Sequence, residues 1–307
     1  MIFAILIIIS LVYKGISFNT SIYTIYIYMS STVLPISVFI ITKNEADRIT
    51  ATINSVKNWV DEVIVIDSGS SDDTVAVAAA GGARVEYNAW AGYGLQKRFG
   101  EDLCRNNWLL NLDADEEISP ELAQEIKTLF AGNYAANSGY TLDIYNMLSG
   151  ETKVPARTQM NRVLRLYDKR FGRFSDSPVH DSVIMREGSV GNLKAAVYHR
   201  SYRSLTHALE KINAYSTMQA EDLLRRNVRI PAWRLYAEFP ASFIKAYFFR
   251  AYIFRGGRGF SYAIVYAFSR FLRLAKFQEI KKDVGLNPHP PRRLAPSFAR
   301  LFQIIDE

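Results

Sequence analysis

Asp113-Ala114-Asp115-Glu116-Glu117 sets four carboxylates directly after an apolar run. Trp108, Leu109, Leu110 and Leu112 have the length and composition of a buried strand, which ends at Asp113. Like charges this close repel unless a cation or solvent relieves them. Hard carboxylate oxygens on either side of one small residue suit a divalent ion that in turn grips a phosphorylated ligand. A solvated turn before the helix that opens at Ser119-Pro120 would use the same residues with no chemistry. The rest of the chain bears on that choice.

The elements that must position the cluster alternate in type. Ile36–Ile41 is β-rich and ends at Thr42-Lys43-Asn44-Glu45, and Ile49, Ile53, Val56 and Val60 follow at helical spacing. Val63–Ile66 is a second apolar strand, ending at Asp67-Ser68-Gly69-Ser70-Ser71-Asp72-Asp73. A helix from Thr74 stops at Gly81-Gly82. Arg84–Tyr87 is a short third strand, and a helix over roughly 94–105 leads back to Trp108. Near-continuous apolar strands alternating with helices predict a mainly parallel sheet covered on both faces. Ligands of such sheets sit at the carboxyl ends of the strands. Three polar loops, ending in Glu45, Gly69 and Asp115, should therefore share one edge. Beyond Phe130, 140–148 and 162–167 read as antiparallel additions, with Ser149–Pro155 between them as a loop fit for an acceptor. No G-x-G-x-x-G follows the first strand and no G-x-x-x-x-G-K-[ST] occurs, which argues against a dinucleotide dehydrogenase and a P-loop ATPase.

Charge divides the chain. Residues 1–200 carry a net of −3 and residues 201–307 a net of +10, within an overall +7. The basic part suits an anionic surface. A single cysteine, Cys104, excludes an intramolecular disulfide framework and a cysteine-based zinc site. The apolar stretch 1–13 is too short to span a bilayer and lacks a basic n-region. Translation is expected to start at Met29, which makes 1–28 dispensable. Leu205–Arg226 reads as an amphipathic helix. Residues 230–278 combine aromatics with eight Lys/Arg and a single acid, Glu238. Two helices joined by Gly256-Gly257-Arg258-Gly259 are expected there. They either lie in a membrane interface or pack on the catalytic domain with a solvated basic face. The expected organisation is thus a catalytic domain over 34–200, a helical basic region over 201–282 and a Pro/Arg-containing tail over 283–307. No nucleic-acid recognition motif accompanies the charge, so nucleic acid is not an expected partner.

The stretches 40–45, 65–74, 108–116 and Pro178-Val179-His180-Asp181 together resemble inverting glycosyltransferases of family 2, whose fold is GT-A, a Rossmann-like mixed sheet flanked by helices. The likeness is closest to the lipopolysaccharide-core, β-glucosyltransferase-like branch. It implies a nucleotide-diphosphate sugar donor, UDP-sugar favoured, and Mg²⁺ or Mn²⁺. It implies a lipopolysaccharide inner-core or other lipid-linked acceptor, with the enzyme peripheral on the cytoplasmic face of a bacterial inner membrane. That expected lipid acceptor favours the interfacial reading of the basic helices.

The resemblance also assigns residues. Asp115 is the direct metal ligand and Asp113 reaches toward ribose or donor sugar. Thr42, Asn44, Glu45 and Asp67 contact the nucleotide, though capping or an Asx turn would equally use such side chains. Lys97 meets a phosphate or is an exposed helix lysine. Glu116 assists the metal site or favours the following helix N-terminus. Inversion needs a base for the acceptor hydroxyl, a role typically worth ~10²–10⁴ in rate. The family's His-Glu is His180-Asp181 here, so Asp181, one methylene shorter, is the expected base, with Asp176 as a second candidate. His199 either approaches the diphosphate or metal or is structural. The rivals are a polyprenyl-phosphate glycosyltransferase, a catalytically silent membrane-binding scaffold on the same sheet, and, more weakly, a nucleotidyltransferase.

Overall fold

The computed structural model describes residues 33–132, 136–155, 158, 160–176 and 181–286, with side chains as far as Lys282. The expectations for 1–28, for His180 and for the tail beyond Leu286 lie outside the described residues.

Four strands follow the alternation read from the sequence: β1 (Leu34–Thr42), β2 (Val60–Asp67), β3 (Arg84–Tyr87) and β4 (Trp108–Asp113). Between them run α1 (Ile49–Val56), α2 (Thr74–Ala80) and α3 (Tyr93–Leu103). After β4 come β5 (Glu116–Ile118), α4 (Pro120–Ala131), β6 (Gly139–Asn146), β7 (Met160–Asp168), β8 (Gly172–Phe174), β9 (Val183–Met185) and β10 (Val190–His199). The main sheet has the order β3-β2-β1-β4-β7-β6-β10-β5, and β8 pairs with β9 as a separate ribbon. β1 is parallel to β2 and β4, whereas β7 runs antiparallel to both β4 and β6. The sheet is therefore mixed, parallel in its first half as expected.

Alternation along β1 explains the two-sided burial. Ile36, Val38 and Ile40 join Ile49, Ile53, Leu122 and Ile126 of α1 and α4 on one face. Phe39 and Ile41 join Ile64, Ile66 and Leu109 on the other, beneath Tyr93, Phe99 and Leu103 of α3. The close seat of α3 depends on Gly100, where a Cβ would come within 2.8 Å of both Ile66 and Phe39. That approach buries the α3 face carrying Lys97 and Glu101 completely or nearly so. Register then aligns the strand ends: Thr42 pairs with Asp67, and Ile41 with Asp113. Ser119 caps α4 by accepting from the Leu122 amide, with Pro120 at the first helical position.

Residues 205–286 are mainly helical. α5 (Leu205–Arg225) packs on α7 (Gly256–Leu286), and α6 (Trp233–Ile244) packs on α7 as well. The expected glycine turn between the two last helices is corrected here. The chain reverses earlier, through a π turn at Lys245–Phe249 and a 3₁₀ turn at Tyr252–Arg255, with Ala251 in the left-handed region at φ 60°. The glycines form the first turn of α7 instead. Gly259 is needed for close approach, because a Cβ there would lie 1.9 Å from the Tyr252 carbonyl oxygen. Among the described residues, no helix is long and apolar enough to cross a membrane.

Candidate active site

The aligned strand ends open into a cleft of about 330 Å³. Its walls include Thr42, Glu45, Asp113, Asp115, Asp181 and His199, together with Trp90, Tyr93, Lys211 and Tyr215. Of the sequence candidates, these first six share the cleft. Lys97 lies directly beneath it.

Lys97 is fully buried, so the exposed-helix reading is corrected. Its ammonium lies 2.9 Å from Asp113 Oδ1 and 2.7 Å from Asp181 Oδ2. It therefore meets two carboxylates of the protein and ties residues 84 positions apart in sequence to one point. On the other side of Asp113, Arg165 of β7 donates to Oδ2 at 2.9 Å and to Glu116 Oε1 at 3.0 Å. Arg165 also donates to the Asn111 side chain. The result is a ladder of alternating charge, Asp181, Lys97, Asp113, Arg165, Glu116, running under the cleft floor. Burial works to raise the Asp113 pKa, but Lys97 and Arg165 outweigh it and hold the carboxyl well below its usual range. Glu116 is buried in β5, accepts from the Asp113 amide at 3.0 Å and supports the ladder; it does not sit at a helix N-terminus.

Asp115 occupies the other side. Its Oδ1 lies 3.3 Å from His199 Nε2 and its Oδ2 3.6 Å from Arg48. Burial works against ionisation, yet the His199 hydrogen bond and charge, with Lys211 and Arg48, bring the Asp115 pKa down to about 2. Burial likewise opposes the His199 charge, and Asp115 overcomes it, so the imidazole pKa is raised. The pairing is built by the backbone. β5 and β10 are antiparallel with Glu116 opposite His199, and the Arg200 amide donates to the Asp115 carbonyl at 2.9 Å.

The remaining candidates divide. Thr42 is buried with its Oγ1 lacking a hydrogen-bond partner among the described residues, while its carbonyl accepts from the Ser68 amide and hydroxyl. Glu45 is ion-paired with Arg48 and with Arg203 at 3.1 Å; burial dominates and raises its pKa. Asn44, at φ 54°, accepts from the Ser71 amide at 2.8 Å, and its own amide donates to Ser70 Oγ at 2.9 Å. It staples the first loop to the second. Asp67 is 4% exposed and accepts from the amides of Gly69 at 2.8 Å and Ser70 at 2.9 Å, an Asx-type turn. Neither Asn44 nor Asp67 lines the cleft. Asp176 is 80% exposed and pairs with Arg98 at 3.4 Å, also away from it.

Several contributors have no signature in the sequence. Arg165 reads as an ordinary strand residue and Arg48 as a helix-flanking one. Lys211 and Tyr215 belong to α5, a helix that sequence position alone groups with the basic region. Tyr93 and Tyr215 hydroxyls are 3.2 Å apart, joining α3 to α5 across the cleft mouth.

The sequence profile of glycosyl transferase family 2 matches residues 37–188. A Rickettsia felis protein described as an uncharacterized glycosyltransferase is 45% identical over 253 residues, covering 80% of this chain and 89% of its own. The lipopolysaccharide core biosynthesis glycosyltransferase LpsC of Rhizobium meliloti is 30% identical over 253 residues, covering 80% of this chain and 93% of its own. Among solved structures, Staphylococcus aureus TarS 1–349 aligns at TM-score 0.42 and 15% identity, covering 84% of this chain and 93% of that one. Mycobacterium tuberculosis glucosyl-3-phosphoglycerate synthase, solved with Mn²⁺ and UDP-glucose, aligns at TM-score 0.40 and 19% identity, covering 64% and 80%. By the profile and these relatives the chain is a glycosyltransferase. The chain belongs to glycosyl transferase family 2.

Whether a divalent ion fits can be judged from the donors present. Both oxygens of Asp113 are already engaged by Lys97 and Arg165, whereas Asp115 and His199 face each other in the cleft. Among the described residues, no group of three or more His, Cys, Asp or Glu could hold a metal. One carboxylate and one imidazole would serve an open site that draws its remaining ligands from phosphate oxygens and water.

Proposed function

We propose that the protein transfers a hexose, with inversion, from a UDP-sugar to a lipopolysaccharide inner-core or other lipid-linked acceptor. The observation that carries this reading is the placement of Asp181 at the same cleft as Asp113, Asp115 and His199, fixed there by buried Lys97. Asp115 and His199 would hold Mg²⁺ or Mn²⁺, which when bound neutralises charge developing on the departing diphosphate. Asp113, pinned between two cations, is left to accept hydrogen bonds from ribose or donor-sugar hydroxyls. Thr42 offers a buried hydroxyl at the nucleotide end, and Trp90 and Tyr93 offer flat apolar walls. Asp181, 42% exposed, has one oxygen anchored by Lys97 and lines the cleft, within reach of an acceptor hydroxyl that enters it. It is the base, accepting that proton as the oxygen attacks the sugar carbon in line. Asn44 and Asp67 act by shaping the two loops that frame the nucleotide. Asp176 and His180 are left without an assigned step.

The helical region supports an interfacial location on the cytoplasmic side of the inner membrane. Trp233 and Tyr236 at the start of α6, and Ile244, Phe248, Phe249 and Phe254 at its end and in the reversal toward α7, are all exposed, in a stretch that also carries Arg and Lys. Aromatic side chains at lipid depth with cations toward phosphates match such a surface.

The deciding experiment is a donor panel of UDP-, GDP- and ADP-sugars with Mn²⁺, with and without truncated lipopolysaccharide, read by product mass. Asp181→Asn should lower transfer by ~10²–10⁴ while leaving nucleotide-sugar binding intact. Undiminished transfer by that variant would favour a phosphate nucleophile and a polyprenyl-phosphate acceptor. Absence of nucleotide-sugar binding across the panel would favour a silent scaffold.

A further inference from the structure

A second, smaller pocket of about 80 Å³ lies under the chain reversal, lined by Asn146, Asn161, Arg250, Tyr252 and Arg255. Its cations are set unusually deep. The Arg255 side chain is 1% exposed; it donates to the Asn146 carbonyl at 3.2 Å and to Thr158 Oγ1 at 3.0 Å, and Glu151 stands 3.5 Å away. The Nε atoms of both Arg250 and Arg255 are buried and have no hydrogen-bond partner among the described residues. The Arg250 guanidinium lies over the Tyr266 ring at 4.4 Å, a contact that holds the group without neutralising it. Buried donors without acceptors are rare because each forfeits hydration. Glu151 offsets one of the two charges, so the pocket is left cationic.

The pocket also has a meaningful address. Asn146 ends β6 and is the register partner of His199 on β10, so the two sites are adjacent along one sheet edge. Neighbouring strands are ~4.8 Å apart. Ser201 Oγ reaches both residues, Asn146 at 3.4 Å and the His199 ring at 3.2 Å. The loop 149–155, expected from sequence to face an acceptor, supplies Glu151.

We propose that this pocket is an anion subsite, taking a phosphate or carboxylate group carried by the acceptor. This rests on the reading that a glycan acceptor approaches the cleft from this edge. The two guanidinium Nε–H groups and the Asn161 amide supply donors in the fixed geometry that planar and tetrahedral oxyanions accept. The volume admits one such group and little more, so the subsite orients an acceptor.

The test is a titration of the full chain, labelled with ¹⁵N-arginine, with inorganic phosphate while the Nε–Hε resonances are followed. The Arg250 and Arg255 signals, assigned by Arg250→Gln and Arg255→Lys, should shift saturably. In Arg250→Gln the phosphate affinity read at Arg255 should fall about tenfold or more. Should that variant unfold, Asn161→Ala on the exposed strand surface should weaken phosphate severalfold. The proposal is overturned if neither signal moves, or if Arg255 titrates with unchanged affinity in the folded variant. Competition by phosphatidylglycerol vesicles but not by a soluble hexose phosphate assigns the anion to a lipid headgroup; the reverse assigns it to the glycan. No donor sugar or acceptor enters the titration. Failure of transfer to lipid-linked acceptors would therefore leave phosphate binding readable on its own.

Discussion

Lys97→Met tests the charge ladder at its weakest rung. The substitution keeps the apolar stem and removes the ammonium that serves Asp113 and Asp181. Removing one partner of a buried ion pair costs about 3–5 kcal/mol, because the other charge is left uncompensated. Two features reduce that cost. Asp113 keeps Arg165 at 2.9 Å and is 31% exposed, while Asp181 is 42% exposed and regains water. A loss of about 2–3 kcal/mol is expected, or roughly 3–5 °C in Tm for a chain of this size. Asp181→Asn removes the exposed partner and should cost under about 1 kcal/mol. The asymmetry is the signature: the buried member is expensive to lose and the exposed one cheap, although Asp181 should be the more damaging to transfer. Urea unfolding followed by circular dichroism on both variants and the double mutant would measure it. A Lys97→Met protein within about 0.5 kcal/mol of wild type, or an Asp181→Asn protein less stable than Lys97→Met, would refute the ladder as drawn.

Three further outcomes are expected. Gly259→Ala should lower stability by several kcal/mol, of the order seen for severe overpacking, because the added Cβ meets the Tyr252 carbonyl; a thermal melt unchanged from wild type would contradict the close approach. Phe249→Ser with Tyr236→Ser, at positions 82% and 80% exposed, should reduce co-sedimentation with anionic vesicles while leaving the melting temperature unchanged; equal sedimentation would remove lipid as the partner of this surface. His207 is held down to about pKa 4, by burial first and then by Arg203, Lys211 and Arg48. Its folded value lies below the unfolded ~6.5, so the stability it contributes is present above pH ~6.5 and lost as pH falls toward 4. His207→Gln should therefore flatten that part of the stability profile by about 1 kcal/mol at a site this open to solvent, and a profile parallel to wild type would argue against it.

Local pattern made the first half of the sheet legible. The apolar runs of β1, β2 and β4 and their polar ends could be read directly, because a buried parallel strand has no other use for such composition. The Asp113–Asp115 cluster followed from its place at a strand end. Partnerships across sequence distance could not be read. Lys97 sits on a helix whose period is broken by Gly100 and Glu101, and nothing local says that this polar face is the buried one. Arg165 alternates normally along β7, and only the antiparallel placement of β7 beside β4 brings it under Asp113. Lys211 and Tyr215 were hidden by position, since α5 falls in the C-terminal region whose overall charge is basic yet lends a wall to the cleft. The glycine tract misled for a related reason: glycine signals a turn or a close contact equally well, and here Gly259 serves the contact.

The reversal at 245–255 carries two kinds of side chain in opposite directions. Phe248, Phe249 and Phe254 point out to solvent, while Arg250, Tyr252 and Arg255 line the inner pocket. On the proposed reading, one short stretch of backbone both touches the bilayer and receives the acceptor's charge. Catalysis would then obey surface-dilution kinetics. Its rate would follow the mole fraction of acceptor in the membrane plane more closely than the bulk concentration, and adding inert lipid at constant total acceptor would slow turnover.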